Sequence, residues 1–233
     1  MSLIIVALEP GTTNGVGPQM PPIQSSYDRL SRYYDWLANG SEGPFRQLGL
    51  RLLRPAAGET LLEIGAGTGH GLVALSQAAG ATGLACGVDL SAGMCRVAAA
   101  RLRAAGVREG ALLAHGDALR LPFPSARFDA VFMSFTLELF GPAEMAGVLA
   151  ECRRVLREDG RVGVVALDQA EPANWMTRLY GWAHRRFPTW VDCRPIPVEE
   201  ILSRHGFRPI AAAAGKMWGL PVKAIVARTM VGA

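Results

Sequence analysis

Two hydrophobic patterns alternate along most of the chain. Short, almost wholly apolar runs are typical of buried strands, and five of them occur up to Asp168: ETLLEIG, GLACGVD, ALLAHGD, RFDAVFMSF and RVGVVALD. Segments with apolar residues at helical spacing lie between several of them: HGLVALSQAAG, SAGMCRVAAARLRAAG and PAEMAGVLAECRRVLREDG. Strands that are apolar on both faces require helices on both faces of the sheet. The pattern therefore predicts an α/β fold with a mostly parallel sheet.

The ends of the helices are predicted from capping residues, glycines and prolines. Ser91 is placed to cap the second of these helices and Gly106 to end it, while the third runs through basic residues to Gly160. Upstream of the first strand, SSYDRLSRYYDWLANG and GPFRQLGLRLLR predict two more helices, and Pro55 ends the second. The sheet is therefore preceded by a helical leader.

The alternation breaks after Asp168. Residues 169–197 are aromatic and interrupted by prolines, which predicts an insertion that covers the substrate. PVEEILSRHGF then predicts a helix, and FRPIAAAAG and PVKAIVARTM predict two strands joined by a short loop, an antiparallel pair that closes the sheet. Residues 1–24 are rich in glycine and proline and predict a flexible lead-in. Residues 25–233 are expected to form a single domain.

Composition narrows the classes of function. Half of the residues are hydrophobic, enough for a self-supporting core, and the net charge of +4 comes from basic residues interleaved with acids. We therefore expect no nucleic-acid partner. The four cysteines have neither CxxC nor metal-ligand spacing, which favours a reducing cytoplasm and no bound metal. The apolar run MSLIIVAL is too short to span a bilayer, so any membrane contact is expected to be peripheral.

The segment LLEIGAGTGHG, residues 61–71, carries glycines at alternate positions directly after a predicted strand. Ligands of parallel sheets bind beyond the carboxyl ends of the strands, where glycines let the backbone approach them. A dinucleotide site requires GxGxxG, but His70 occupies the third glycine position. A carboxylate at Glu63 would also repel a pyrophosphate and attract an ammonium or sulfonium group. The segment favours a cationic nucleoside, with an NAD-dependent Rossmann enzyme as the alternative.

The pattern EIGAGTG resembles the leading motif of class I S-adenosylmethionine-dependent methyltransferases. Further stretches resemble later motifs of that family in the same order: CGVDLS, HGDALRLPFP, FDAVFMSFTLELF and LREDGRVGVV. The leader YDRLSRYYDWL is similar to that of the ubiquinone and menaquinone biosynthesis C-methyltransferases. The resemblance covers about residues 26–230. It implies a Rossmann-like class I methyltransferase fold with a seven-stranded sheet and an antiparallel last strand, and S-adenosyl-L-methionine as the cofactor.

The same resemblance implies which residues hold the cofactor. Asp89 accepts hydrogen bonds from both ribose hydroxyls, Asp117 faces the adenine amine, and Ala118 lies beside the ring. Tyr27 or Tyr34 closes over the cofactor. The complete implied set is Tyr27, Tyr34, Glu63, Gly65, Ala66, Gly67, Gly69, Asp89, Leu90, Met94, Gly116, Asp117, Ala118 and Ser134.

The three carboxyl groups in this set also have a structural interpretation. Glu63 and Asp89 would each interact favourably with the N-terminus of a helix. Asp117 would stabilise a turn by accepting a hydrogen bond from its own backbone. The sequence leaves both interpretations open for each residue.

No catalytic residue is evident from the sequence. Methyl transfer from a sulfonium needs alignment of donor and acceptor, and a base only where the acceptor must lose a proton. His184 is a candidate base, with a packing or exposed histidine as the alternative. Thr136 and Glu138 follow the fourth strand at the cofactor end and are placed to face the methyl group, with a solvated loop carboxylate as the alternative for Glu138. His70 adjoins the glycine loop and is placed to contact the cofactor, with structural packing as the alternative. Cys193 has no identifiable partner base.

Aromatic residues of the leader and of the 169–197 insertion predict a roofed apolar pocket. We therefore expect methyl transfer to a small apolar, aromatic or lipid-like acceptor. FTLELF departs from the matching segment of the quinone enzymes, so lipid amines, small natural products and other aromatic molecules stay open as acceptors. A non-catalytic S-adenosylmethionine-binding module is the alternative from a different class. The acceptor atom and the oligomeric state do not follow from the sequence.

Overall fold

The computed structural model describes residues 4–7, 40–107, 109–169 and 194–230. Several predictions lie outside these residues: most of the first predicted helix, nearly all of the 169–197 insertion, Tyr27, Tyr34, His184 and Cys193. They stay predictions, as does the division of the chain into a lead-in and a domain.

The described residues form one eight-stranded sheet. Its strands, in chain order, are β1 (Ile4–Ala7), β2 (Thr60–Ile64), β3 (Leu84–Asp89), β4 (Ala111–His115), β5 (Phe128–Ser134), β6 (Leu156–Leu167), β7 (Phe207–Met217) and β8 (Leu220–Thr229). The spatial order is β1-β4-β3-β2-β5-β6-β8-β7. Among these strands only β8 runs in the opposite direction, and it pairs antiparallel with β6 and β7. The predicted mostly parallel sheet with an antiparallel last strand is confirmed.

The sheet has one strand more than the seven predicted, because β1 is added at its edge. Ile4, Ile5 and Val6 are β-branched residues that favour extended backbone, and they pair in parallel with residues 112–114 of β4. The strand ends before Pro10, where the run rich in glycine and proline begins. The sequence pattern treated these residues as part of the lead-in.

Five α-helices occur among the described residues: α1 (residues 40–53), α2 (His70–Ala79), α3 (Ala92–Ala104), α4 (Pro142–Val155) and α5 (Val198–Arg204). A single turn of 3-10 helix, Leu137–Leu139, follows β5. The Ser91 hydroxyl accepts a hydrogen bond from the Met94 N–H at 3.2 Å and caps α3, as the sequence predicts. Each strand and helix predicted between residues 59 and 168 is present.

Helix α4 ends at Val155, earlier than the predicted end at Gly160. Leu156 adopts extended backbone, is 4% exposed and pairs with Phe128 before the register of β6 shifts. A helical continuation would remove this apolar side chain from the core. Burial of Leu156 therefore outweighs the helical pattern of the basic residues around it.

The helices cover both faces of the sheet. One apolar layer joins Leu62, Ile64 and Met133 of the central strands to α4 and α5, and the other joins Leu61 and Phe132 to α1, α2 and α3. The strand order reverses between β2 and β5, because the chain runs from β2 through β3 to β4 on one side and from β5 to β6 on the other. Such a switch point opens a crevice at the carboxyl ends of the strands. None of the helices in the described ranges is long and apolar enough to cross a membrane.

Candidate functional site

The glycine loop between β2 and α2 turns sharply at the switch point. Gly65, Gly67 and Gly69 have φ values of 70°, 51° and 85°, a region that glycine adopts at little cost. The N–H groups of Gly65 and Ala66 donate to the Val88 carbonyl at 2.8 and 3.0 Å. These bonds tie the loop to the carboxyl end of β3 and hold it in one conformation.

The three glycines have different surroundings. A Cβ atom at Gly65 would clash with the Thr136 side chain, and one at Gly69 would lie 2.8 Å from the Ala98 Cβ of α3. A Cβ at Gly67 would approach no atom closer than the Gly65 carbonyl at 4.0 Å. Gly65 and Gly69 therefore allow close packing, whereas Gly67 borders open space that a ligand can enter.

Glu63 lies beneath this loop and is only 2% exposed. Its carboxyl group accepts a hydrogen bond from the Leu72 N–H in the first turn of α2, and its Oε1 lies where a Cβ of Gly71 would be. The interaction with a helix N-terminus, one of the two interpretations open from the sequence, is therefore present. The second oxygen, Oε2, is buried and has no hydrogen-bond partner among the described residues.

Burial raises the pKa of Glu63 to about 8, although Arg46 of α1 lowers it; Asp89 raises it further. The prediction from the sequence assumed an ionised carboxylate that attracts a cation. At this pKa the protonated form of Glu63 predominates at neutral pH. A cationic ligand beside Glu63 would favour ionisation again, so charge on this group and occupancy of the site are coupled.

Asp89 ends β3 beside the glycine loop. Its Oδ2 accepts from the Gly67 N–H at 2.7 Å, and its Oδ1 accepts from the Ser91 N–H at 2.9 Å. The carboxylate thus joins the open part of the loop to the start of α3. Nearby, Leu90 is 50% exposed, whereas Met94 is buried.

The segment after β4 lies against the same edge of the sheet. The Gly116 N–H donates to the Asp89 carbonyl at 3.0 Å, which brings this segment next to β3. Asp117 is exposed, and its Oδ1 accepts from the Leu119 N–H at 2.9 Å, the turn interaction that the sequence allowed. Ala118 is buried beside it. The predicted adenine-binding residues therefore lie next to Asp89.

Two polar side chains with buried oxygen atoms, Ser134 and Glu138, lie at and just beyond the carboxyl end of β5. Phe135 has φ 52° and its N–H donates to the Val165 carbonyl at 2.7 Å, so the backbone turns sharply into the 3-10 helix. The Ser134 hydroxyl oxygen is buried and has no partner among the described residues. Glu138 is 1% exposed; its Oε1 accepts from the Leu167 N–H at 3.2 Å, while its Oε2 has no partner in the same ranges.

Two charged residues of α1 that act on the buried carboxyl groups could not be identified from any sequence motif. Glu42 and Arg46 influence the buried carboxyl groups electrostatically: Glu42 raises the pKa of Glu138, and Arg46 lowers those of Glu42 and Glu63. They lie in GSEGPFRQ, which matches no motif and precedes the first strand. Only the packing of α1 over the carboxyl ends brings them to the site.

His70, in contrast, faces α3. Its Nδ1 lies 3.3 Å from Arg101 Nη1, and Arg101 Nε donates to the Thr68 carbonyl at 2.7 Å. The histidine therefore helps to join α2 to α3. Within the described part of the chain, no group of three His, Cys, Asp or Glu side chains is arranged to hold a metal ion.

The three buried polar atoms without a described partner all lie at the carboxyl ends of β2 and β5: Glu63 Oε2, Ser134 Oγ and Glu138 Oε2. Buried polar atoms in proteins are almost always hydrogen-bonded. Of these three groups, Glu63 lies near Asp89 and beneath the open Gly67, and this part of the site suits a ligand with hydroxyl groups and a positive charge. A cationic nucleoside such as S-adenosylmethionine has both features.

Comparison with known proteins agrees with this chemistry. Residues 61–160 match a family described as a methyltransferase domain. The chain is 35% identical over 176 residues to a demethylmenaquinone methyltransferase of Thermobifida fusca, across 76% of this chain and 70% of that protein. It is 30% identical over 164 residues to the demethylmenaquinone methyltransferase of Lactobacillus johnsonii, across 69% of this chain and 65% of that protein. The chain thus spans about two thirds of the length of these relatives.

A solved structure with the same fold is that of Burkholderia thailandensis 1,6-didemethyltoxoflavin-N1-methyltransferase with bound 1,6-didemethyltoxoflavin and S-adenosylhomocysteine. The TM-score is 0.65 at 19% identity, over 95% of this chain and 94% of that one. At this identity the likeness establishes the fold alone, while the identity to the curated relatives establishes the family. The chain belongs to the class I S-adenosylmethionine-dependent methyltransferases, in the group that contains the menaquinone and ubiquinone biosynthesis C-methyltransferases.

Proposed function

We propose that this protein transfers a methyl group from S-adenosylmethionine to a small apolar acceptor, most simply an aromatic ring that carries hydroxyl or quinone oxygens. One observation carries the proposal. The buried Glu63 carboxyl, with an oxygen that lacks a described partner, lies beneath a glycine loop that is open at Gly67. A positively charged ligand in that crevice would stabilise the ionised carboxyl.

The cofactor would be held by residues from three strand ends. S-adenosylmethionine supplies a methyl group made electrophilic by the positive sulfur. Asp89 would accept hydrogen bonds from the ribose hydroxyls, Glu63 would interact with the ammonium group, and Gly67 would let the backbone approach the cofactor. The residues that would surround the adenine are Leu90, Met94, Gly116, Asp117 and Ala118. Tyr27 or Tyr34 from the leader would close over the cofactor.

The apolar acceptor is supported by the surface around the crevice. Leu139 follows the end of β5, beside the switch point of the sheet, and is 40% exposed. Trp218 is 69% exposed at the tip of the β7–β8 hairpin, beyond β6 on the carboxyl-end side of the sheet. Relatives in the family act on demethylmenaquinone, as their names state. A quinone-type ring is therefore the acceptor class that we infer, despite the unusual segment FTLELF.

The proposal extends to a cytoplasmic protein without a nucleic-acid partner. Cys86, Cys95 and Cys152 are buried thiols, and burial raises the pKa of Cys86 and Cys152 to about 12, as expected for inert apolar residues. The basic residues are spread along the sequence among acids, which supports a small acceptor over a polyanion.

Thermal unfolding with candidate cofactors tests this proposal. S-adenosylmethionine should raise the melting temperature, because a ligand at 100 times its Kd stabilises the folded state by about 2.7 kcal/mol. NAD at the same concentration should leave it unchanged. Release of S-adenosylhomocysteine in the presence of 1,4-dihydroxynaphthalenes should follow. Equal stabilisation by NAD would contradict the cofactor, and tight cofactor binding without release for any acceptor would favour a non-catalytic binding module.

A further inference from the structure

We propose that Glu138 is the general base of this enzyme, taking the proton that a hydroxylated aromatic acceptor loses as it accepts the methyl group. The proposal rests on the methyltransferase function inferred above and names the chemical class of the acceptor, a phenol or hydroquinone. It assigns a catalytic role to a carboxyl group on the acceptor side of the site.

The position of Glu138 is set by the backbone around it. The sharp turn at Phe135 starts the 3-10 helix at the carboxyl end of β5, and the Leu167 N–H of β6 holds Glu138 Oε1 at 3.2 Å. Thr136, two residues earlier, packs directly against Gly65 of the glycine loop. The turn that carries Glu138 therefore packs against the cofactor loop.

The other carboxyl oxygen of Glu138 lacks a described partner. Oε2 is fully buried, and so is the Ser134 hydroxyl at the end of the same strand. Buried polar atoms in proteins are almost always hydrogen-bonded, so two without a described partner at one strand end are expected to meet a ligand. A hydroxyl group of an acceptor ring can donate to Oε2 and, once ionised, accept from Ser134.

The charges around Glu138 suit a proton acceptor. Burial raises its pKa to about 8, and Glu42 of α1 contributes to the increase. A base is most effective when its pKa lies near the working pH, and a phenol ordinarily has a pKa near 10. Glu138 therefore takes the proton most effectively at mildly alkaline pH.

The step balances with these groups alone. The acceptor O–H proton passes to the Glu138 carboxylate, and the electron pair of the oxyanion, directly or through the ring, forms the bond to the methyl carbon. The carbon–sulfur bond breaks with its electron pair on sulfur, leaving a neutral thioether. Where a ring carbon is methylated, its hydrogen is lost as a proton and the hydroxyl is restored. Glu138 then releases its proton to solvent.

Substitution of Glu138 tests the role with acceptors of different acidity. The Glu138→Gln variant keeps an oxygen for the Leu167 N–H but cannot take a proton. With phenols and 1,4-dihydroxynaphthalenes of ordinary acidity, kcat should fall on the order of 10²- to 10⁴-fold, with S-adenosylmethionine affinity unchanged. The loss should shrink steadily for nitrophenols, which are already ionised at the assay pH. The exposed Glu158→Gln is the matched control and should retain wild-type rates.

Two further measurements test the role of Glu138 even if Glu138→Gln folds poorly. The wild-type pH–rate profile should show an acidic limb near pH 8 with ordinary phenols and none with nitrophenols. Glu42→Gln should move that limb to lower pH, because it removes the neighbouring negative charge. An equal loss for all phenols, or none, would reject the base while leaving the methyltransferase intact. Wild-type protein that methylates no acceptor would instead reject the proposed function, and the inference with it.

Discussion

At the scale of single residues, the Asp89 carboxylate stabilises the fold and is also proposed to bind the ligand. Asp89 accepts from the N–H groups of Gly67 and Ser91, which orients both of its oxygens at the end of β3. A carboxylate has about four acceptor positions, so these bonds are compatible with further bonds to ribose hydroxyls. The structural role that the sequence allowed is thus present, and the binding role stays a prediction.

Replacing Asp89 tests that binding role. Asp89→Ala should weaken S-adenosylmethionine binding by about 1–3 kcal/mol, because charged hydrogen bonds to the ribose are lost and the loop at Gly67 loses an anchor. Isothermal titration calorimetry measures the change. Asp159→Ala, an exposed carboxylate on β6, is the control and should bind as the wild type does. Unchanged affinity in Asp89→Ala would remove this residue from the site.

At the scale of elements, glycines with positive φ occur both in the loop between β2 and α2 and after the end of α3. Gly69 and Gly106 both have positive φ, 85° and 74°, but only Gly69 is packed against another helix. A Cβ at Gly106 would meet no atom within 4 Å. The pair therefore separates the cost of backbone conformation from the cost of helix packing.

Alanine at these two positions should destabilise the protein unequally. Gly106→Ala should lower the free energy of unfolding by about 1–2 kcal/mol through backbone strain alone. Gly69→Ala should lower it by a further 1–3 kcal/mol or so, because the methyl group overpacks against Ala98 and forces α2 away from α3. Urea unfolding measures both values. Equal losses would show that the α2–α3 contact adjusts without cost.

At the scale of the whole molecule, the buried acids couple stability to pH. Burial raises the pKa of Glu63 and Glu138 to about 8 and that of Glu42 to about 7. In the unfolded chain these groups titrate near 4.5, so the folded state holds more protons between the two values. Their contribution to stability is complete below about pH 4.5 and is lost as the pH rises through 7 and 8.

The free energy of unfolding without ligand should therefore fall between about pH 5 and pH 8. Below that window the trend should reverse, since the hydrogen bonds and charge of Arg154 lower the pKa of Glu151, whose contribution is lost on acidification. Urea titrations across this range measure the slope. The double variant Glu63→Gln and Glu138→Gln should flatten it, and an unchanged slope would show that these carboxyl groups are not its source.

Most of the fold could be predicted because its signals are local. The five apolar runs, the Ser91 cap and the glycine turns depend on neighbouring residues, and each appears where the pattern predicts it. The strand β1 and the early end of α4 could not be predicted, since they depend on pairing with β4 and on the burial of Leu156 beside Phe128. Such contacts join residues far apart in the chain.

By itself the sequence determined the α/β alternation, the glycine loop with Glu63 before it, and the family, because each depends on short sequence motifs in a fixed order. Only the tertiary structure decided the protonation state of the buried acidic residues and which charged residues lie near them. Burial of Glu63 and Glu138 raises their pKa values so that the protonated forms are favoured at neutral pH. The packing of α1 brings Glu42 and Arg46 close enough to influence them. The reason is physical: desolvation and long-range charge depend on what packs around a group, which no local pattern records.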